Sequence, residues 1–257
     1  MYNKSMDLIK ELRGAVRGEV EDSKEELSRC SRDWSLFQVT PKAVVFPKDE
    51  QDIESLVSFV SVNHEEHLSL TCRSGGSDMT GGPLSDSIVL DMQKYFRDIQ
   101  EIGKDYAIVQ PGVWYRDFEK ETLRHNLILP SYPASRDLCT IGGIVANNAG
   151  GEKSLAYGKT DTYVRELRVV LADGKTHTVR ALSKEELEVK KKEEGFEGDM
   201  YRKVSALIEE HGEVIRNAEP KVSKNSSGYA LWDVWDGNTF DLTKLFVGSQ
   251  GTLGIIT

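Results

Sequence analysis

The 257-residue chain is poor in several things, and each shortage excludes a class of protein. It has three cysteines, Cys30, Cys72 and Cys139, an odd number spread far apart. They form neither a disulfide framework nor a Cys-x-x-Cys metal motif, so a reducing cytoplasm is the expected setting. Basic residues are outnumbered, 33 Lys plus Arg against 42 Asp plus Glu, for a formal charge of −9. A nucleic-acid surface needs a basic stripe, and none is available. No apolar run approaches the ~20 residues of a membrane-spanning helix. The start, MYNKSMDLIKELRG, lacks the apolar stretch of a signal peptide. No internal repeat is visible. What remains is a chain 39% hydrophobic and 29% charged, the balance of a globular protein that binds a small molecule or cofactor.

Helical spacing of Met6, Ile9, Leu12 and Val16 predicts one or two short helices over residues 6–30. Lys42–Phe46 is a β-rich run closed by Pro47, and Asp49–Asn63 follows as an amphipathic helix with Ile53, Leu56, Val57 and Val60 on one stripe. Leu68–Cys72 is a strand that runs into a glycine-rich loop, Ser74–Pro83. Ser87–Asp91 and Tyr106–Gln110 are further strands, and Val113–His125 is a helix. Residues 130–161 carry little strand or long-helix signal. A hairpin then joins Val164–Leu171 to Lys175–Arg180 through Ala172-Asp173-Gly174. The charged stretch 183–198 reads as a solvated helix or an exposed linker, and Asp199–His211 as an amphipathic helix. The last residues, LFVGSQGTLGIIT, read as a buried strand at the end of the sequence; a terminal carboxylate there would be costly, so the chain is expected to be part of a longer protein.

Three segments are dense in glycine. The first, Arg73–Gly82, has four glycines and three hydroxyl residues in ten positions. Successive amides of such a loop can converge on an anion, and a long surface turn is the alternative. It is neither a P-loop, because Gly81 is followed by Gly82-Pro83 and not by Lys-Ser/Thr, nor a Gly-x-Gly-x-x-Gly dinucleotide turn. The second, Pro130–Gly151, contains Ile141-Gly142-Gly143-Ile144-Val145-Ala146, a small-residue helix start that a flat ring could approach closely; a tightly packed loop is the alternative. The third is Gly248–Gly254, where Ser249 does not meet the Gly-x-Ser-x-Gly spacing of a nucleophile elbow.

Other candidates carry little. His64 and His67 fail the His-Glu-x-x-His spacing and have no third ligand, so no metal is expected. Asn225-Ser226-Ser227 fits a glycosylation sequon in a chain with no sign of secretion. Trp232 and Trp235 read as core or contact residues, with a flavin-covering role as the minor alternative, and Cys72 and Cys139 as buried packing residues.

Taken in order, RSGGSDMTGG (Arg73–Gly82), QPGV (Gln110–Val113), TIGGIVANNAGG (Thr140–Gly151), YGKT (Tyr157–Thr160), KNSSGY (Lys224–Tyr229) and LFVGSQGTLGIIT (Leu245–Thr257) resemble the FAD-binding domain of the p-cresol methylhydroxylase/vanillyl-alcohol oxidase superfamily. The branch they resemble most is that of the D-lactate dehydrogenase/glycolate oxidase flavoproteins. The resemblance covers residues 35–257 and implies an α+β fold of two subdomains with FAD between them: a helical segment over 1–34, a first subdomain over 35–110 and a second over 111–257, followed in the whole protein by a C-terminal substrate cap.

It also implies that Arg73, Ser74, Gly75, Gly76, Ser77, Asp78, Met79, Thr80 and Gly81 wrap the FAD pyrophosphate. Pro133, Ala134, Ser135, Thr140, Ile141, Gly142, Gly143, Asn147, Gly150, Gly151, Tyr157 and Gly158 would line the isoalloxazine and ribityl portions. Val164 and Ile255 would pass the adenine side. The implied reaction is oxidation of a 2-hydroxy acid of the D-lactate or glycolate type by hydride transfer to flavin N5, with a separate electron acceptor. The alternative is a stand-alone FAD-binding electron-transfer subunit of a multi-subunit oxidoreductase. Members that bind flavin covalently at the first loop carry a histidine after the Gly-Gly pair; here it is Ser77, so non-covalent FAD is expected. The last block more often reads GSEG, and Gln250 replaces the carboxylate. No catalytic residue is assigned, because the substrate's carboxylate clamp and the catalytic histidines of this branch lie in the cap.

Overall fold

A computed structural model describes residues 7–222 and 224–257. In chain order its elements are α1 (Leu8–Ala15), β1 (Glu19–Glu21), α2 (Lys24–Cys30), β2 (Ala43–Phe46), α3 (Glu50–Val62), β3 (Leu70–Arg73), β4 (Ile88–Asp91), β5 (Ile99–Ile102), β6 (Ala107–Val109) and α4 (Tyr115–Leu123). There follow α5 (Ile141–Ala146), α6 (Ser154–Tyr157), β7 (Glu166–Val170), β8 (Thr176–Ser183), α7 (Lys184–Lys190), α8 (Phe196–Asn217), β9 (Thr239–Asp241), α9 (Thr243–Phe246) and β10 (Ile255–Ile256).

The first sheet has the order β1-β2-β4-β3, with β2, β4 and β3 parallel and β1 antiparallel at the edge. β2 and β4 are buried on both faces, as parallel strands must be when helices cover both sides. Alternation divides their side chains between two cores. Ala43, Val45, Ile88 and Leu90 meet Leu12 of α1 and Ile53 and Leu56 of α3, whereas Val44, Phe46 and Val89 meet Cys30 of α2. The N-terminal segment is therefore not helical throughout: β1, the triplet Glu-Val-Glu, pairs Val20 with Val45. Three residues are too few to display a period of two.

The second sheet, β10-β7-β8-β9, is antiparallel. Leu167 and Val169 of β7 face α8 and its Tyr201 and Ile208. Val170 and Ile255 turn the other way, into the core of the first sheet. Helix α3 lies at that junction. The Glu54 carboxylate accepts from the amide and hydroxyl of Thr176, each at 2.8 Å, and Glu50 pairs with Arg168. A third core under residues 111–149 joins the β5–β6 hairpin and α4 to Tyr132, Cys139, Ile141 and Ile144.

The charged stretch after Ser183 resolves into α7, closed by a reciprocal cap between Ser183 and Glu186 and anchored by the buried Leu187. The helix expected over Asp199–His211 runs from Phe196 to Asn217, with a break at His211 just before Gly212.

Asp52, 2% exposed, forms a buried polar joint. Its carboxylate accepts from three backbone amides, Arg17 at 2.8 Å, Gly18 at 2.9 Å and Lys48 at 2.8 Å, fixing the turn between α1 and β1 to the entry of α3. Asp52→Ala leaves those donors orphaned and is expected to destabilise by about 2–4 kcal/mol. Urea unfolding should show a lowered midpoint at unchanged slope.

Candidate functional site

β3 and β4 end side by side, and the carboxyl ends of parallel strands are where open α/β sheets place ligands. The loop Ser74–Pro83 leaves β3 there and does not stand free. A methyl group on Gly75 would lie 1.9 Å from the Leu138 carbonyl oxygen, and one on Gly143 would lie 2.4 Å from the Ser74 hydroxyl. The Ser74 and Thr140 hydroxyls are 2.5 Å apart. The first two glycine segments are thus packed backbone against backbone. Pro111–Tyr115 runs alongside, with Gly142 and Ile141 donating to the Pro111 and Val113 carbonyls at 2.8 and 2.9 Å.

The third segment closes the arrangement. Gly248 and Gln250 donate to the Val145 and Ala146 carbonyls at 3.0 and 2.9 Å, and the Gln250 amide reaches Asn147 at 3.4 Å. Gly228 packs on the Gly248 carbonyl, and the Tyr229 hydroxyl bonds that of Thr252. Behind this wall, Asn148, buried and left-handed at φ 42°, donates to Asp161 at 2.7 Å. Burial opposes ionisation of Asp161, but Lys159 and Asn148 hold its carboxyl below the usual range.

Between the three segments lies a cleft open to solvent, about 1020 Å³ when the open solvent inside its mouth is included. Its lining includes Arg73, Ser74, Gly76, Ser77 and Asp78 of the first loop, and Pro133, Ser135, Gly142, Gly143 and Asn147 of the second segment. Gly75 and Thr140 lie at the contact just described, and Ile141 in the core below it. Met79 and Thr80 are exposed on the far half of the loop. Gly81 there donates to Asp33 at 2.9 Å.

Ala134 is exposed at the rim. Gly150, Gly151, Tyr157 and Gly158 form a neighbouring turn, where Gly151 donates to Ser154 at 2.8 Å and Tyr157 is exposed. Val164 packs at the edge of the core under α8, and Ile255 points into the core of the first sheet while its neighbour Ile256 faces the cleft. Met92 lines the cleft though nothing in the sequence singled it out, and Pro111, Gln250, Gly251 and Ile256, which lie in the blocks quoted above without an assigned contact, line it too. Trp232 and Trp235 lie away from the cleft, beside α8.

The chemistry of the lining suits an anionic ligand. The Asp78 carboxylate is turned onto its own loop, accepting from the Thr80 amide and hydroxyl at 2.5 and 2.6 Å. Arg73 is buried, and its Nη1 has no hydrogen-bond partner. Among the described residues no group of three or more His, Cys, Asp or Glu side chains is placed to hold a metal ion.

The sequence pattern of the family described as "FAD binding domain" matches residues 41–180, just over half of the chain. The chain belongs to this family. FAD is the cofactor that the domain binds. The chain is similar to D-2-hydroxyglutarate dehydrogenase of Pantoea ananatis (30% identical, covering 93% of this chain and 24% of that protein). It is also similar to glycolate oxidase subunit GlcD of Bacillus subtilis (31%, covering 86% and 36%) and to D-lactate dehydrogenase of Archaeoglobus fulgidus (29%, covering 85% and 39%). It therefore spans between a quarter and two fifths of the length of these relatives. Among solved structures, an alkyldihydroxyacetonephosphate synthase aligns over 97% of the chain and 38% of its own at TM-score 0.64 and 20% identity. 6-Hydroxy-D-nicotine oxidase from Arthrobacter nicotinovorans aligns over 64% and 36% at 0.56 and 21%. The mixed helix-and-sheet fold is the two-subdomain one of FAD-binding oxidases.

Two predictions follow from the packing. Gly75→Ala forces the first loop off Leu138 and is expected to destabilise by about 1–3 kcal/mol and to weaken FAD binding, read by calorimetric titration. Gly14→Ala, where the added methyl meets nothing within 4 Å, serves as the helix control. Second, burial pushes the thiols of Cys139 and Cys72 up to about 11 and about 12. Both stay neutral and unreactive at pH 8. Iodoacetamide is expected to label the buried Cys139 only after denaturation, and stability is expected to fall as pH rises from about 9, where an unfolded thiol ionises, through those values.

Proposed function

We propose that the chain is the FAD-carrying part of a flavin-dependent dehydrogenase that oxidises a D-lactate-, glycolate- or D-2-hydroxyglutarate-type 2-hydroxy acid to the 2-oxo acid. The observation that carries this reading is the convergence of three glycine-dense segments, far apart in sequence, on one cleft at the carboxyl ends of β3 and β4. The relatives named above supply the substrate class. When bound, FAD supplies the acceptor for the two electrons that leave the hydroxyl-bearing carbon; the two protons released balance the reaction.

The protein's share is to bind and orient. The pyrophosphate sits on the first loop at the amides of the Gly76–Asp78 turn, because those of Thr80 and Gly81 are committed to Asp78 and Asp33. Pro133–Ser135, Thr140–Gly143, Asn147, Gly150, Gly151, Tyr157 and Gly158 belong to the isoalloxazine and ribityl side, and Val164 and Ile255 to the adenine side. Ser77 cannot form a histidyl-type bond, so the cofactor is held without a covalent link. A second small molecule or partner subunit re-oxidises it, and the setting is the cytoplasm. Among the described residues no helix is long and apolar enough to cross a membrane.

The protein is expected to purify yellow or to take up FAD when it is added, and acid precipitation should release all the flavin into the supernatant. Protein that stays colourless after FAD is added overturns the cofactor assignment; yellow colour in the pellet overturns the non-covalent link. D-lactate, glycolate and D-2-hydroxyglutarate are then added anaerobically to the whole protein. Bleaching by one of them supports the substrate class, and indifference to all three removes it.

A further inference from the structure

One charged side chain at the cleft has no counter-charge. Arg73 ends β3 and is 6% exposed. Its Nη2 donates to the Arg32 carbonyl at 2.8 Å. Its Nη1 is buried with no partner, the one side-chain nitrogen or oxygen in that state among the described residues.

The carboxylates that could neutralise it are engaged elsewhere. Asp91, opposite Arg73 in the β3–β4 register, holds Arg29 at 2.8 Å and the Gln93 amide at 2.9 Å. Asp78 accepts from Thr80, and Asp33 from Gly81. A buried, unpaired guanidinium is costly, and proteins retain one where something neutralises it.

The loop shows what that could be. Gly76 sits directly on the guanidinium: it is left-handed at φ 65°, and a methyl there would lie 2.3 Å from Arg73 Nη2. A side chain at Gly76 would therefore strike Arg73 first. Gly76 and Arg73 both line the cleft.

We propose that Arg73 is the built-in counter-ion of the bound cofactor. Its charge is left unpaired within the protein and is neutralised when a pyrophosphate group settles on the amides of the Gly76–Asp78 turn. This rests on the FAD reading, and FAD is the natural carrier of that group. The arrangement lowers the stability of the empty protein and raises the affinity for the phosphate portion of the cofactor, leaving the affinity for the ring system alone unaffected.

The test uses flavin-stripped protein with Arg73→Met and Arg73→Lys, melted alone and with FAD, inorganic pyrophosphate or riboflavin, which has the ring but no phosphate. Without ligand, Arg73→Met is expected to melt at or above the parent temperature. Its affinity for FAD and pyrophosphate should fall on the order of tenfold to a hundredfold, with riboflavin unchanged and Arg73→Lys retaining most of the binding. If Arg73→Met binds FAD and pyrophosphate as tightly as the parent, the proposal is overturned, and a lower melting point would then mark Arg73 as a strut for Arg32. Should Arg73→Met not fold, the parent labelled with ¹⁵N-arginine decides: a guanidinium signal moved by pyrophosphate supports the proposal, and unmoved signals overturn it. Pyrophosphate binding through Arg73 in a protein that ignores both FAD and riboflavin would support the anion site while removing the FAD reading.

Discussion

The site depends on how closely main chain can approach main chain. Gly75 lies against the Leu138 carbonyl, Gly151 against that of Tyr132, Gly142 against Pro111 and Gly228 against the Gly248 carbonyl, at separations that leave no room for a β-carbon. Glycines cost folding entropy, and here the packing of Tyr115, Tyr132, Ile141 and Ile144 beneath the second segment offsets it. The walls of the cleft come from segments around residues 72–83, 133–149 and 250–256. A cleft of this kind exists only in the folded chain, since no single segment contains enough of it to bind anything.

The electrostatics appear at first to run the wrong way, since a protein of charge −9 takes an anionic cofactor. Distance resolves this. Beyond a Debye length of about 8–10 Å, exposed charges are screened, so the groups at the cleft decide. There the acidic side chains are committed to local donors: Asp78 and Asp33 to loop amides, and Asp91 to Arg29. An incoming ligand then meets the loop's backbone N–H groups and Arg73 beside Asp78, whose oxygens are turned onto Thr80. The overall charge describes solubility, and the local balance describes binding.

Much of this was legible in the sequence, and the parts that were not share a cause. Helix α3 was readable to its ends because Asp49 caps one and Asn63 closes the other. The β7–β8 hairpin was readable because Asp173-Gly174 supplies the turn, with Gly174 at φ 70°. Strands β1 and β5 were not, being three and four residues long and partly exposed. In the site, glycine density marked the first two walls, and six ordered blocks marked the family. Met92 carried no such mark, because an apolar residue just after a strand looks the same in sequence whether it faces a core or a ligand. The isolation of Arg73 was also invisible, since it depends on where Asp91, Asp78 and Asp33 direct their oxygens.

The place of α3 explains why the cleft can be held rigid although its walls belong to different sheets. Ile53 and Leu56 bury one face of the helix against the parallel sheet. Glu50 and Glu54 reach from another to Arg168, Thr257 and Thr176 of the antiparallel sheet. Val170 and Ile255 of that second sheet enter the first sheet's core directly. Opening the cleft by moving one sheet away from the other would expose those side chains and strand the two glutamates together, so the two sheets move as one body at this junction. The ligand then meets a preformed surface, and the binding free energy is not consumed in assembling it.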